Sequence, residues 1–242
     1  MVILGALIWY NIVSGKNAII VGSLHKIGAE FAKMIAEDGI NMILVDWESG
    51  RLEKLKRELT EQYHHLTIKT IVEDLDKPFT SDNIEDALWL YQSLGAAPRE
   101  FDLIVNVLNF DQQLEDSLDD PWDETNAMAA ELNIFSLMSL NKVLSKSLVR
   151  GKSGEILNII SGRPSDSNWQ QQMYQETKGL LMEFSDRFNQ KLQPHAVTVH
   201  ALSYSDAEII FQSPDVIAPE PSQANGSHAM TYVHSLLSQM HG

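Results

Sequence analysis

Residues 18–28 read Ala18-Ile19-Ile20-Val21-Gly22-Ser23-Leu24-His25-Lys26-Ile27-Gly28, a short apolar run that ends on glycine and passes at once into a helical pattern. The run predicts a buried strand over Ala18–Val21. From Ile27 the apolar residues fall at Ile27, Phe31, Met34 and Ile35, the spacing of one helix face, until Asp38-Gly39 stops them. A strand, a tight turn and a helix in succession aim the helix N–H groups and the positive end of its dipole at the turn, which suits a phosphate group. Gly22 allows the tight turn and Gly28 allows the helix to pack closely on the strand. Two glycines in such a turn also occur in ordinary loops.

The same alternation continues outward. Met42–Val45 predicts a second strand, followed by a charged helix from Leu52 to about Tyr63, and Leu66–Val72 predicts a third strand. A helix around Ile84–Leu94 leads to a fourth strand, Leu103–Val107, and a long helix near Met128–Leu148 precedes a fifth, Glu155–Ile160. A helix from about Gln172 to Lys191 and a sixth strand, Val197–Leu202, complete the pattern. Strands alternating with helices call for a parallel sheet covered on both faces: an α/β, doubly wound, Rossmann-like single domain over residues 17–242. Ligands in such folds bind beyond the carboxyl ends of the strands, so the segments after Val21, Val45, Val107, Ile160 and Leu202 are the places to search. The stretch from Pro214 through Pro219 and Pro221 to Gly226 reads as loop, followed by one helix at about His228–Met240, so a regular last strand is not expected.

Thirty-three acidic against 18 basic residues give the chain a formal charge of −15, which argues against nucleic acid or an anionic membrane surface as its main partner. The absence of cysteine excludes disulfides, thiolate nucleophiles and zinc–sulfur sites, and fits a cytoplasmic location. The apolar start, Met1–Val13, has no basic leader, no small-residue cleavage site and too few residues for a membrane span. Residues 1–16 are expected to pack on the domain or at a subunit contact. Shallow membrane association is the alternative.

A candidate reacting centre lies further along. In Tyr174-Gln175-Glu176-Thr177-Lys178 the phenol and the ammonium stand at i and i+4, on one helix face. A cation beside a phenol favours the phenolate and lowers the pKa toward the range useful for proton transfer. Alone, this spacing is a common coincidence. Ser161 stands 13 residues upstream at the end of the strand in Gly154-Glu155-Ile156-Leu157-Asn158-Ile159-Ile160-Ser161. Asn133, in the apolar stretch Leu132-Asn133-Ile134, is a fourth polar residue, whose other reading is a buried, hydrogen-bonded core amide.

These residues, in this order, resemble the short-chain dehydrogenase/reductase family over roughly Asn17 to Leu202. Val21–Gly28 is similar to its Thr-Gly-x-x-x-Gly-Ile-Gly fingerprint, with Val for Thr and Lys26 for the middle glycine. The stretches Gly39–Leu44 and Ile156–Ile159 resemble most the hydroxysteroid dehydrogenase and 3-oxoacyl-CoA reductase branch. The resemblance implies hydride exchange between a nicotinamide dinucleotide and a small carbonyl or alcohol substrate. Tyr174 is then the general acid or base, and Ser161 hydrogen-bonds the carbonyl oxygen. Lys178 holds the nicotinamide ribose and tunes Tyr174, and Asn133 holds a water that links Lys178 to solvent. Cofactor contacts are implied for Gly22, Ser23, His25, Lys26, Ile27 and Gly28 in the first turn. They are implied also for Asp46 and Trp47 after the second strand, Asp74 and Leu75 after the third, Asn106 on the fourth, and Tyr174 and Lys178. An acid at position 46 accepts hydrogen bonds from a ribose and repels a 2′-phosphate, which favours NAD, whereas His25 and Lys26 pull toward NADP. The resemblance also implies a homodimer or homotetramer paired through the helices that bear Asn133 and Tyr174.

The sequence departs from the family at three places where backbone meets cofactor. Lys26 replaces a glycine, Asn106-Val107-Leu108-Asn109 stands for Asn-Asn-Ala-Gly, and Tyr204-Ser205, with Glu208 and Ile209 beyond, stands for Pro-Gly and a following threonine. Two readings stay open: an active, divergent oxidoreductase with a substrate loop around residues 206–225, or a pseudoenzyme that acts as a binding or scaffold protein.

Overall fold

The computed structural model describes residues 16–72, 101–109, 124–161 and 168–203; at positions 108–109, 124–136, 160–161, 168–175, 177 and 203 it describes the backbone alone. The apolar start through residue 15, Asp74, Leu75, the expected helix at 84–94, the loop at 206–225 and the segment where a last strand was not expected lie outside the described residues.

Six strands form one parallel sheet. They are β1 (Asn17–Val21), β2 (Asn41–Asp46), β3 (Ile68–Val72), β4 (Leu103–Asn109), β5 (Gly154–Ser161) and β6 (Val197–Ser203), in the order β3-β2-β1-β4-β5-β6. The order reverses at β1, so the crevice between β1 and β4 is the place where such a sheet accepts a ligand. Among the described residues four helices connect them: α1 (Lys26–Glu37), α2 (Ser49–Gln62), α3 (Glu124–Gly151) and α4 (Asn168–Leu192), with a 3₁₀ turn at Gln193–His195 before β6. This is the doubly wound arrangement expected from the alternation of patterns. Each expected strand lies within a residue or two of its observed bounds, while α3 and α4 each begin four residues earlier than their apolar periodicity does. Those first turns are mostly polar, Glu124-Thr125-Asn126 in α3 and Asn168-Trp169-Gln170-Gln171 in α4.

Both faces of the sheet are apolar because both are covered, which is why the strands read as continuous apolar runs. Ala18, Ile20, Met42 and Leu44 point to one face, where Ile27, Phe31 and Ile35 of α1 and Leu52, Leu55 and Leu59 of α2 pack on them. Ile19, Val21, Ile43, Val45, Ile104 and Ile156 point to the other, against Leu140, Val143, Leu144 and Leu148 of α3 and Leu192 of α4. The outer side of α2 carries the ion pairs Glu48–Arg51, Glu53–Lys56 and Lys54–Glu58, one helical turn apart, which keep it wet without adding much stability. No helix among the described residues is long and apolar enough to cross a membrane.

Candidate active site

The first turn is made mainly by backbone. Gly22 N–H and Ser23 N–H both donate to Val45 O on β2, at 3.0 and 3.3 Å, and the buried Ser23 hydroxyl donates to the same oxygen at 3.3 Å. Gly22 has φ +76°, and a Cβ there would overlap Val107 O of β4. A Cβ on Gly28 would overlap Gly22 O, so α1 rests directly on the turn. Both glycines therefore have the roles their positions suggested, fixed by neighbouring backbone. His25 caps α1: its Nδ1 accepts from Ile27 N–H at 3.3 Å. Lys26, where the family fingerprint has its middle glycine, is the first residue of α1 and is exposed.

Asp46 ends β2 almost fully buried, 4% exposed. Its Oδ2 accepts Leu24 N–H from the turn at 2.7 Å and its Oδ1 accepts Trp47 N–H at 2.9 Å. Burial pushes its carboxyl above the ordinary aspartate range, while those two N–H groups and the cation of Arg51 pull it back. Arg51 of α2 donates to Leu24 O at 3.4 Å, which places a guanidinium beside the same turn. Trp47 is half exposed at the strand end. Sequence reasoning placed Asp46 and Trp47 here, but missed Arg51 and the Asp46 bond to the turn.

The four candidate catalytic positions sit on three elements that meet on the other side of the crevice. Ser161 is the last residue of β5, level with Asn109 of β4. Tyr174 and Lys178 lie in the N-terminal half of α4, and Asn133 lies in the N-terminal half of α3. The side chains of Ser161, Tyr174 and Asn133 are outside the described set, while Lys178 is half-buried. Helical period continues from Lys178 through Leu181 and Ser185 to Leu192, all three buried, so Lys178 shares the sheet-facing stripe of α4. By the same period, position 133 shares the stripe of Leu137, Asn141, Leu144 and Leu148 on α3.

Beneath these positions lies a polar cluster that sequence reasoning missed. Asn106, Asn158, Asn141 and Ser185 are all within 1% of complete burial and hydrogen-bonded to one another. The available signal was Asn158 between Leu157 and Ile159 in a strand otherwise built for the core. Asn106, expected at the cofactor, donates from Nδ2 to Asn158 Oδ1 at 2.9 Å, and its Oδ1 has no hydrogen-bond partner among the described residues.

Known proteins resemble this arrangement. The profile of the short chain dehydrogenase family matches residues 16–206. The very-long-chain 3-oxoacyl-CoA reductase of Podospora anserina is 26% identical over 193 residues, covering 78% of this chain and 54% of that protein. Its human counterpart is 25% identical over 190 residues, covering 78% and 58%. The chain thus spans little more than half the length of these relatives. Among solved structures, the L-sorbose reductase of Gluconobacter frateurii, complexed with NADPH and L-sorbose, superposes with a TM-score of 0.63 at 21% identity, covering 93% of this chain and 82% of that one. A metagenomic short-chain oxidoreductase in complex with NADP gives 0.64 at 19%, covering 89% and 95%. Both share the fold. With the profile matched over most of its length and the strand order β3-β2-β1-β4-β5-β6, this chain belongs to the short-chain dehydrogenase family.

Proposed function

We propose that the chain is an NAD(P)-dependent oxidoreductase that binds a nicotinamide dinucleotide across the carboxyl ends of β1, β2 and β4 and acts on a carbonyl or alcohol. The observation that carries this reading is the first turn. Gly22 and Gly28 bring strand, turn and helix into backbone contact, and the N-terminus of α1 opens where a pyrophosphate would lie. When bound, the nicotinamide would supply or accept the hydride. In reduction Tyr174 gives its proton to the carbonyl oxygen, and in oxidation it takes one from the alcohol. Ser161 hydrogen-bonds that oxygen, and Lys178 holds the ribose and keeps the phenol acidic. Asn133 holds the water through which Lys178 exchanges protons with solvent. The buried carboxylate of Asp46 disfavours a 2′-phosphate and supports NAD, with the cations of Arg51 and Lys26 opposing it and His25 beside them. The solved relatives named above hold NADPH or NADP, so both forms belong in the test. The names of the curated relatives make a 3-oxoacyl thioester the first substrate to try.

A second reading rests on a specific observation. Leu24 N–H is taken by Asp46 and Ile27 N–H by His25, so two donors that could face a phosphate are already engaged. Together with Lys26 and Val107-Leu108-Asn109, this supports a binding or scaffold protein with an impaired groove. Thermal unfolding with millimolar NADH or NADPH separates the two. A dinucleotide at 100 times its Kd stabilises the native state by about 2.7 kcal/mol, and no shift with either supports the scaffold. In the enzyme, Tyr174→Phe lowers turnover by about 10²–10⁴-fold and leaves dinucleotide affinity in place; unchanged turnover removes Tyr174 from its role.

Pairing into a homodimer or homotetramer through α3 and α4 belongs to the same proposal. It is supported by Met138 and Leu180, which are 39% and 54% exposed on those helices. Sedimentation equilibrium of the wild type and of Leu180→Glu tests it, a monomeric wild type being the contrary result. A cytoplasmic location is likewise proposed, tested by fractionating cells that carry a tagged chain.

A further inference from the structure

On the face of the sheet that α3 and α4 cover, the described residues include one fully buried polar cluster. There Asn158 of β5 acts as a hub. Its Oδ1 accepts from Asn106 Nδ2 of β4 at 2.9 Å and from Asn141 Nδ2 of α3 at 3.0 Å. Its Nδ2 donates to Ser185 Oγ of α4 at 3.0 Å and, at 3.4 Å, back to Asn141 Oδ1. Asn141 Nδ2 also donates to Leu137 O at 2.9 Å, which locks that amide to its own helix. One side chain thus joins β4, β5, α3 and α4.

Apolar side chains could fill this volume without the desolvation cost of three amides and a hydroxyl. What apolar packing lacks is direction. Greasy surfaces can slide and rotate by fractions of an ångström at little cost, whereas short hydrogen bonds in a water-free core hold one relative placement. The joined elements are the ones that carry the candidate reacting groups. Asn158 stands three residues before Ser161 on β5. Ser185 stands seven residues, two helical turns, after Lys178 on one stripe of α4. Asn141 stands eight residues after Asn133 on the stripe of α3 that faces the sheet.

We propose that Asn158, Asn141 and Ser185 are positioning residues: they fix the end of β5 against α3 and α4, and with it the relative placement of the segments that bear Ser161, Tyr174, Lys178 and Asn133. None of the three touches substrate. The inference rests on the reading of those four as the reacting groups. Misplacing a reacting pair by about an ångström costs about 10²-fold in rate, so a small relaxation at the hub is felt in turnover well before the fold is lost.

The test uses the full chain with Ser185→Ala, which removes the hydroxyl with almost no change of volume, and Ser185→Thr, which keeps it. Asn141→Ser approaches the hub from the other helix. Ser185→Ala and Asn141→Ser are expected to lower kcat by about tenfold or more while the Kd for NADH or NADPH stays within about twofold; Ser185→Thr returns kcat to within about threefold of wild type. A readout independent of activity is backbone amide exchange. In Ser185→Ala it accelerates around Ser161 and Tyr174–Lys178 and stays at the wild-type rate in β1 and β2. Wild-type kcat in Ser185→Ala despite a lowered Tm overturns the proposal, as does exchange that rises evenly across the sheet or nowhere. If wild type binds neither dinucleotide, the oxidoreductase reading fails by itself, and the exchange pattern still decides whether the hub positions these segments.

Discussion

At the carboxyl end of the sheet, the β1–β2 side and the β4–β5 side are joined by different materials. Between β1 and β2 the junction is backbone: Gly22 and Ser23 N–H on Val45 O, with Leu24 N–H held by Asp46. Between β4 and β5, whose backbone ladder runs on to Asn109 and Ser161, side chains add a second junction: the amides of Asn106 and Asn158, extended by Asn141 and Ser185. A backbone junction constrains only where side chains must be missing, so the turn keeps Gly22 and Gly28 while Lys26 stands where the family pattern has a glycine. A side-chain junction constrains identity, because an amide that donates and accepts together has few substitutes. The difference separates what is free to drift on each side of the crevice, and it can be attacked from either side.

The largest effect is expected from Gly28→Ala. Its Cβ would meet Gly22 O and Ser23 Cα, both backbone, and neither can yield without moving α1 off β1. We expect a loss of about 3 kcal/mol, read as a lower denaturant midpoint at unchanged m. Gly179→Ala sharpens the point. A Cβ there meets nothing within 4 Å in the middle of α4, so this variant should gain about 0.5–1 kcal/mol. If both glycines respond alike, the backbone junction is not what holds the turn.

On the other side, Asn158→Ala leaves Asn106 Nδ2, Asn141 Oδ1 and the Ser185 hydroxyl without their shared partner. Stranding such groups away from water should cost about 2–3 kcal/mol in equilibrium unfolding. A loss under about 0.5 kcal/mol would mean that the cluster relaxes freely and has no directing role.

The two junctions were also unequally legible in the sequence. The strand–turn–helix unit is local: Val21 to Gly28 carries its glycines, its strand and its first helical turn within one short stretch. The same holds for the alternation of strands and helices, because apolar runs of different period reveal buried strands and one-sided helices directly. Asn158 could be seen as an oddity in its strand, but its partners stand 52, 17 and 27 positions away, and no local pattern joins them. Asp46 was legible as an acid at a strand end. Its bond to Leu24 N–H was not, because that bond depends on how the turn folds back over β2. The candidates Tyr174, Ser161, Lys178 and Asn133 were read from spacing together with a family resemblance, and the fold brings the elements that bear them to one end of the sheet.

A smaller effect is expected where the backbone junction borrows a side chain. Asp46→Asn keeps one acceptor for the N–H groups of Leu24 and Trp47 and turns an NH₂ toward the other. The loss should be about 1–2 kcal/mol near neutral pH, by thermal or denaturant unfolding. If the dinucleotide binds, the same variant should narrow any preference for NADH over NADPH in a direct titration. Equal destabilisation with no change in that ratio would leave Asp46 as a clamp on the turn and nothing more.

The smallest effect has the most diagnostic sign. Burial raises the Asp46 pKa, so its contribution to stability is fully present below the ordinary aspartate pKa and is lost as pH rises through the raised value. The deficit of Asp46→Asn relative to wild type should therefore be larger in acid and shrink toward neutrality. Glu53, exposed on α2, is shifted the other way, chiefly by the Thr70 hydroxyl of β3 at 2.6 Å and then by Lys56. Its contribution is present above the ordinary glutamate pKa and disappears as pH falls through the lowered value. Solvent screening keeps it at about 0.5 kcal/mol or less, so Glu53→Gln should show a small deficit near neutral pH that closes in acid. Opposite slopes from two carboxylates on neighbouring elements would separate a buried clamp from a surface contact, because the net charge of the chain acts on both alike. Parallel slopes would mean that the wider field of this acidic chain, and not burial, governs Asp46.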